Sequence, residues 1–177
     1  DQPDHLQDYL QGIMDSIILK DVVARKNISD IDGLKKVIRF LFDNIGNVTS
    51  IKRISDVMKS EGYTLAPQTV ENYISALVDS FILYPAQRYD IKGKEYLRFG
   101  EKYYVIDIGL RYLLLGKKGG DTGHILENIV YLELLRRGYS VYIGKVNSEE
   151  VDFVAVNAKG TEYYQVAQTV RSDVTLL

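Results

Sequence analysis

The sequence predicts an α+β chain: a helical part that ends in a strand hairpin, then a smaller α/β part. Three observations predict it. Short runs between Asp32 and Phe81 carry apolar residues at helical spacing, and two strand-like runs flanking a glycine turn come directly after them. From Tyr103 the pattern changes to alternating strands and helices.

Composition narrows the function classes. At 46% hydrophobic and 26% charged over 177 residues, the chain has the balance of a packed globular protein. No apolar run reaches the ~18 residues that span a bilayer, and the N-terminus has no basic, apolar leader. A cytoplasmic chain with no membrane partner is the expectation. With no cysteine and two isolated histidines, His5 and His124, the sequence argues against disulfides and a zinc centre. The missing initiator methionine reads as a piece of something longer. Net charge is −2, yet residues 33–104 alone carry eleven basic against eight acidic side chains. Any nucleic-acid contact must come from local patches.

Each element follows in order. Residues 1–32 are expected as an N-terminal helical linker: from Tyr9 to Arg25, Leu10, Ile13, Met14, Ile17, Ile18 and Val22 form a stripe that must dock on something. Asp32 can cap a helix with Leu34, Val37, Ile38, Leu41, Phe42 and Ile45 inward, ended by Gly46. A second helix follows Thr49 or Ser50 and stops at Gly62, and Pro67 suits the first turn of a third. Phe81–Tyr84 and Tyr96–Phe99 then read as strands around Asp90–Lys94. Three helices and a hairpin over residues 33–104 make the plan of a winged helix-turn-helix, with the third helix as reader and Lys92-Gly93-Lys94 as the wing tip. Residues 105–177 make the last domain. Tyr104–Asp107 is a strand, Leu110–Leu115 a helical turn or two, Gly123–Arg137 a long helix. Strand candidates follow at Ser140–Ile143, Val151–Val156 and Glu162–Ala167, the last two joined by a turn at Asn157–Gly160. Such a sheet wants another helix to cover its face, so truncation is expected.

Two carboxylates stand in the wrong surroundings. Glu127 lies between Val130, Leu134, Tyr131 and Leu135 on its helix, and Asp152 interrupts an apolar strand. A carboxylate there costs several kcal/mol unless it is paired, metal-bound or protonated. Two of them in one core could share a divalent cation; the plainer alternative satisfies each with a backbone amide, a tyrosine hydroxyl or an arginine.

A helix glutamate, then Glu-Val-Asp-Phe-Val ending at Val154, then Tyr163–Ala167 resembles the PD-(D/E)-x-K nuclease fold, giving a truncated restriction-endonuclease-like α/β domain. The resemblance implies that Asp152 is the metal aspartate for Mg²⁺ or Mn²⁺, Glu127 the helix glutamate and Gln165 the (D/E) position. Ala167 stands where the lysine should be, leaving a degenerate, vestigial set of Glu127, Asp152 and Gln165; Lys145 or Lys159 could substitute only if a strand brought one near. Wider wording (Tyr89–Lys94, Tyr103–Arg111 and Leu126–Tyr139) resembles the C-terminal region of a prokaryotic AAA+-like P-loop ATPase family. The resemblance implies an ATPase module, absent from this chain, as first partner. No Gly-x-x-x-x-Gly-Lys-[Ser/Thr] is present, so ATP binding belongs to that module.

For DNA, the third helix offers Gln68 and Asn72, which can read adenine, beside Glu71 and Asp79. The hairpin offers Arg88, Lys92, Lys94 and Arg98, and Lys35, Lys36, Arg39, Lys52 and Arg53 could track a backbone. Tyrosines around the hairpin suit a protein interface equally, with the ATPase or with a neighbouring subunit of a homo-oligomer. The expectation is therefore a non-catalytic DNA- or partner-binding region. A Mg²⁺-dependent nuclease using Asp152, Glu127 and Gln165 is the alternative.

Overall fold

Side-chain caps from Asp30, Ser50 and Asp107 start three of the described helices. In this computed structural model, which describes residues 2–16, 22–116 and 120–169, α1 (Gln2–Ser16) and the short α2 (Ala24–Lys26) come first. The stripe on α1 does find a partner: Met14 is buried, and Leu10 and Ile13 pack on the same core. The helix starts earlier than its apolar spacing implied, and Ile17 and Ile18 lie outside the described residues. Asp30, not Asp32, caps α3 (Ile31–Asp43), its carboxylate accepting from the Gly33 amide at 2.9 Å. Asp30 wins because the same carboxylate also accepts the Tyr63 hydroxyl. Ser50 caps α4 (Ile51–Ser60), and Pro67 opens α5 (Pro67–Asp79).

The hairpin strands are longer than expected. β1 is Leu83–Asp90, and β2, Glu95–Val105, absorbs the run at Tyr104 that reads as a separate strand. Helices α6 (Ile108–Leu115) and α7 (Thr122–Arg136) follow, then β3 (Ser140–Val146), β4 (Glu149–Asn157) and β5 (Gly160–Tyr164). All five strands form one mixed sheet in the order β2-β1-β3-β4-β5, with β1 and β3 parallel and the other neighbours antiparallel. The 104/105 division of the sequence thus falls inside a strand, and Thr49 adds an isolated bridge to Glu101 on β2.

Alternation along β2 feeds two cores. Tyr103 and Val105 join the helical core of α3 to α6, whereas Tyr104 turns to the opposite face, where α7 lays Tyr131 and Leu134 over Ala86, Ile143, Phe153 and Ala155. No helix among the described residues is long and apolar enough to cross a membrane.

Candidate functional site

Asn128 fixes the helix that carries Glu127. Its buried amide accepts from the Val105 N–H at 2.8 Å and donates to the Val105 carbonyl at 2.9 Å, while the Tyr131 hydroxyl donates to the Pro85 carbonyl at 3.0 Å. Pinned to β1 and β2 in this way, α7 aims Glu127 at the strand below. Its Oε1 accepts the Lys102 ammonium at 3.0 Å and the Tyr104 hydroxyl at 2.5 Å. Lys102 also reaches Glu150 Oε1 at 2.6 Å. Lys102 is 4% exposed and Glu127 8%. Burial works against the ammonium, but the hydrogen bonds and charges of Glu150 and Glu127 outweigh it and raise its pKa, so Lys102 stays charged. Burial first, then the Glu127 charge, push the Tyr104 hydroxyl far above its ordinary range, which keeps it a donor.

A bulge brings Asp152 to this neighbourhood. Between the pairs Tyr142↔Val154 and Gly144↔Val151, β3 advances two residues and β4 three, so β4 carries an extra residue at Asp152–Phe153. Alternation breaks there. Asp152 Oδ2 accepts the Val166 amide at 2.6 Å. Burial raises its pKa, the Val166 bond opposes that, and the Glu127 charge raises it further against the pull of Lys102. The α3–α4 loop approaches Glu127 through Gly46, whose amide donates to the Tyr103 carbonyl and whose φ is +71°. A Cβ at Gly46 would lie 3.0 Å from His124 Nδ1 and 3.3 Å from Glu127 Oε1, so a side chain there would crowd the site.

Of the expected metal set, Glu127 lies close enough for its charge to act on Asp152, and the Gln165–Val166 peptide meets Asp152 through the Val166 amide. β5 ends at Tyr164; Gln165 and Ala167 beyond it are exposed, and the Val166 amide between them donates to Asp152. Glu127 Oε1 accepts from both Lys102 and Tyr104, and among the described residues no three His, Cys, Asp or Glu side chains are grouped as they would be around a metal. The cation that Glu127 and Glu150 hold here is the Lys102 ammonium. Lys145 faces Glu150 across β3 and β4, and Lys159 sits in an exposed turn. The lysine at the carboxylates is Lys102, which the motif does not include. Its one signal in the sequence is its place two residues before Tyr104, on the same strand face.

The nucleic-acid candidates fall in separate places. Gln68 and Asn72 are exposed on α5 with Glu71, and the Gln68 amide donates to both neighbours. Arg88 is half-buried and its Nε is enclosed without a partner. Lys92 and Lys94 are exposed at a hairpin end that is tied down: Asp90 accepts the Lys92 and Gly93 amides, Ile91 donates to the Lys145 carbonyl, and Lys92 Nζ reaches Asn147. The Arg98 side chain lies outside the described residues.

Residues 1–121 match the family described as a domain of unknown function (DUF8612), and the chain belongs to that family. It is 46% identical over 158 residues to an uncharacterized protein of Haemophilus influenzae, covering 89% of this chain and 40% of the relative. It is 30% identical over 152 residues to an uncharacterized protein of Methanocaldococcus jannaschii, covering 84% of this chain and 34% of that one. The chain therefore spans well under half the length of these relatives. No solved structure matches it.

Proposed function

We propose that this chain is a non-catalytic, DNA- or partner-binding region of a larger AAA+-like ATPase, whose nuclease-like acidic cluster is closed by an internal ammonium. One observation carries the reading: Lys102, 4% exposed, bridges Glu127 and Glu150 at 3.0 and 2.6 Å, so an ammonium already meets the helix glutamate that the nuclease resemblance assigns to a metal. Displacing the ammonium would strand a buried charge, at a cost of about 3–5 kcal/mol. The larger size of both relatives supports a partner module on the same polypeptide. Helices α3 to α5 with the Thr49 bridge and the β1–β2 hairpin support a winged-helix reading. The sequence α7-β3-β4-β5, with Asp152 on its bulge, supports a nuclease-like one.

Within this reading, α5 is a poor duplex reader, because Glu71 and Asp79 stand on its exposed face with no cation of its own. The hairpin end with Lys92 and Lys94 is the better nucleic-acid contact. The test incubates plasmid and single-stranded DNA with Mg²⁺ or Mn²⁺, beside an Asp152→Asn control and an EDTA control. The expected result is no cleavage. Metal-dependent cutting that disappears in Asp152→Asn would overturn the reading. A second reading, a Mg²⁺-dependent DNA nuclease, draws on one observation: a lysine nitrogen does reach Glu127, close enough for its charge to act on Asp152.

A further inference from the structure

The sheet face opposite α7 is covered at the base of β1 and β2 by the helical core, but farther along it is open among the described residues. Tyr89 and Ile91 from β1, Tyr96 from β2, Tyr142 from β3, Val154 from β4 and Tyr163 from β5 line a concavity of about 390 Å³ there. Lys94, at the tip of the hairpin, supplies the one charge in the lining, and no carboxylate lines it. Tyr96 and Tyr163 are 56% and 58% exposed, far more than a core-forming ring tolerates. Tyr89, Tyr96 and Tyr142 form a cluster with ring centroids 5.1 to 6.2 Å apart, and the hydroxyls of Tyr96 and Tyr142 face each other at 3.4 Å.

We propose that this face is a stacking platform for single-stranded nucleic acid, with unpaired bases lying on Tyr96 and Tyr163 and a phosphate meeting Lys94. The proposal rests on the non-cleaving binding role above and names its ligand class. Every base has a π face, so a tyrosine platform binds without demanding a sequence, and each stacked base is worth about 1–3 kcal/mol. In a duplex those faces are already used by neighbouring pairs. A lysine at the rim complements a phosphate, whereas a proline-rich peptide would take the rings and leave the cation without a counterpart. The rings sit on four strands of one sheet, so their spacing is preset and little ordering accompanies binding.

The experiment measures fluorescence anisotropy of a labelled oligodeoxythymidylate and of a labelled duplex, in EDTA, at low and moderate salt. The single strand should bind at least tenfold more tightly than the duplex. Tyr96→Ala and Tyr163→Ala should each weaken it about tenfold, and Tyr96→Phe, which keeps the ring, should bind like the unmodified chain. Lys94→Asn should reduce the salt slope by about one. Both alanine sites are exposed, and melting curves check that each variant folds. Equal affinity for duplex and single strand, or unchanged binding in both alanine variants, would overturn the platform. So would absence of single-strand binding by the full-length Haemophilus influenzae relative, which would give the face to that protein's own polypeptide. Cleavage is scored separately with metal present, so failure of the non-catalytic role and failure of the platform are read from different measurements.

Discussion

Lys102 and Glu127 are the two buried charges of their cluster and meet at 3.0 Å. Lys102→Met leaves Glu127 buried with only the Tyr104 hydroxyl to meet it, and should cost about 3–5 kcal/mol in urea denaturation. Adding Glu127→Gln should recover much of that loss, because the stranded charge is gone. Asp152 behaves in the opposite sense. Its pKa is raised in the folded chain, so its contribution is fully present below the ordinary value of 3.8 and is lost as pH rises through the native value. At neutral pH the ionised group is a net cost. Asp152→Asn, which can still accept the Val166 amide, should raise the melting temperature near pH 7 and make little difference in acid. Glu127 and Asp152 were legible because a charge stands out in an apolar arc. Lys102 was not, since Glu101 and Lys102 read as an ordinary charged pair until the strand register and α7 put one of them inside.

Elements were legible wherever a local signal fixed them, and misplaced wherever a distant group intervened. Ser50 and Pro67 open their helices as read, but Asp30 replaces Asp32 as a cap through its bond to Tyr63, thirty-three residues away. Asp30→Ala should destabilise by about 1–2 kcal/mol in chemical denaturation. The Tyr63 hydroxyl first, then the Gly33 amide, hold the Asp30 pKa below 3.8. The stability it adds is therefore present above that value and fades as pH falls through the native one. Tyr63 is pushed up to about 12 by the same bond, so its share persists below its ordinary 10.0 and fades as pH rises through about 12. The end of α5 carries a different lesson. Phe81 takes φ +57°, closes the helix with its amide on the Val78 carbonyl, and leaves its ring 70% exposed. Glycine suits that backbone, and Phe81→Gly should stabilise the chain by about 1 kcal/mol, read as a raised melting temperature.

For the molecule as a whole, the link between the hairpin and the later strands decides how it unfolds. The parallel pairing of Arg88–Asp90 with Ile143–Lys145 joins residues more than fifty positions apart into one sheet, and Asn128 ties α7 to Val105 of β2 in the same sheet. No sequence period reports such a pairing, so the two halves read as neighbours when they share a backbone ladder. Urea unfolding followed by far-UV circular dichroism and by tyrosine fluorescence should give coincident single transitions. Two separated transitions would show that the halves fold apart. The two rims of that sheet differ in a way that bears on handling. On the β2 side Thr49 pairs with Glu101, which blunts part of the rim. β5 ends the strand order with no neighbour among the described residues beyond it, and its one carboxylate, Glu162, is occupied by the hydroxyls of Tyr139 and Tyr164. That flank is a template for strand addition, so concentrated solutions should string molecules together there first, and a lysine in place of Thr161 should keep them dispersed.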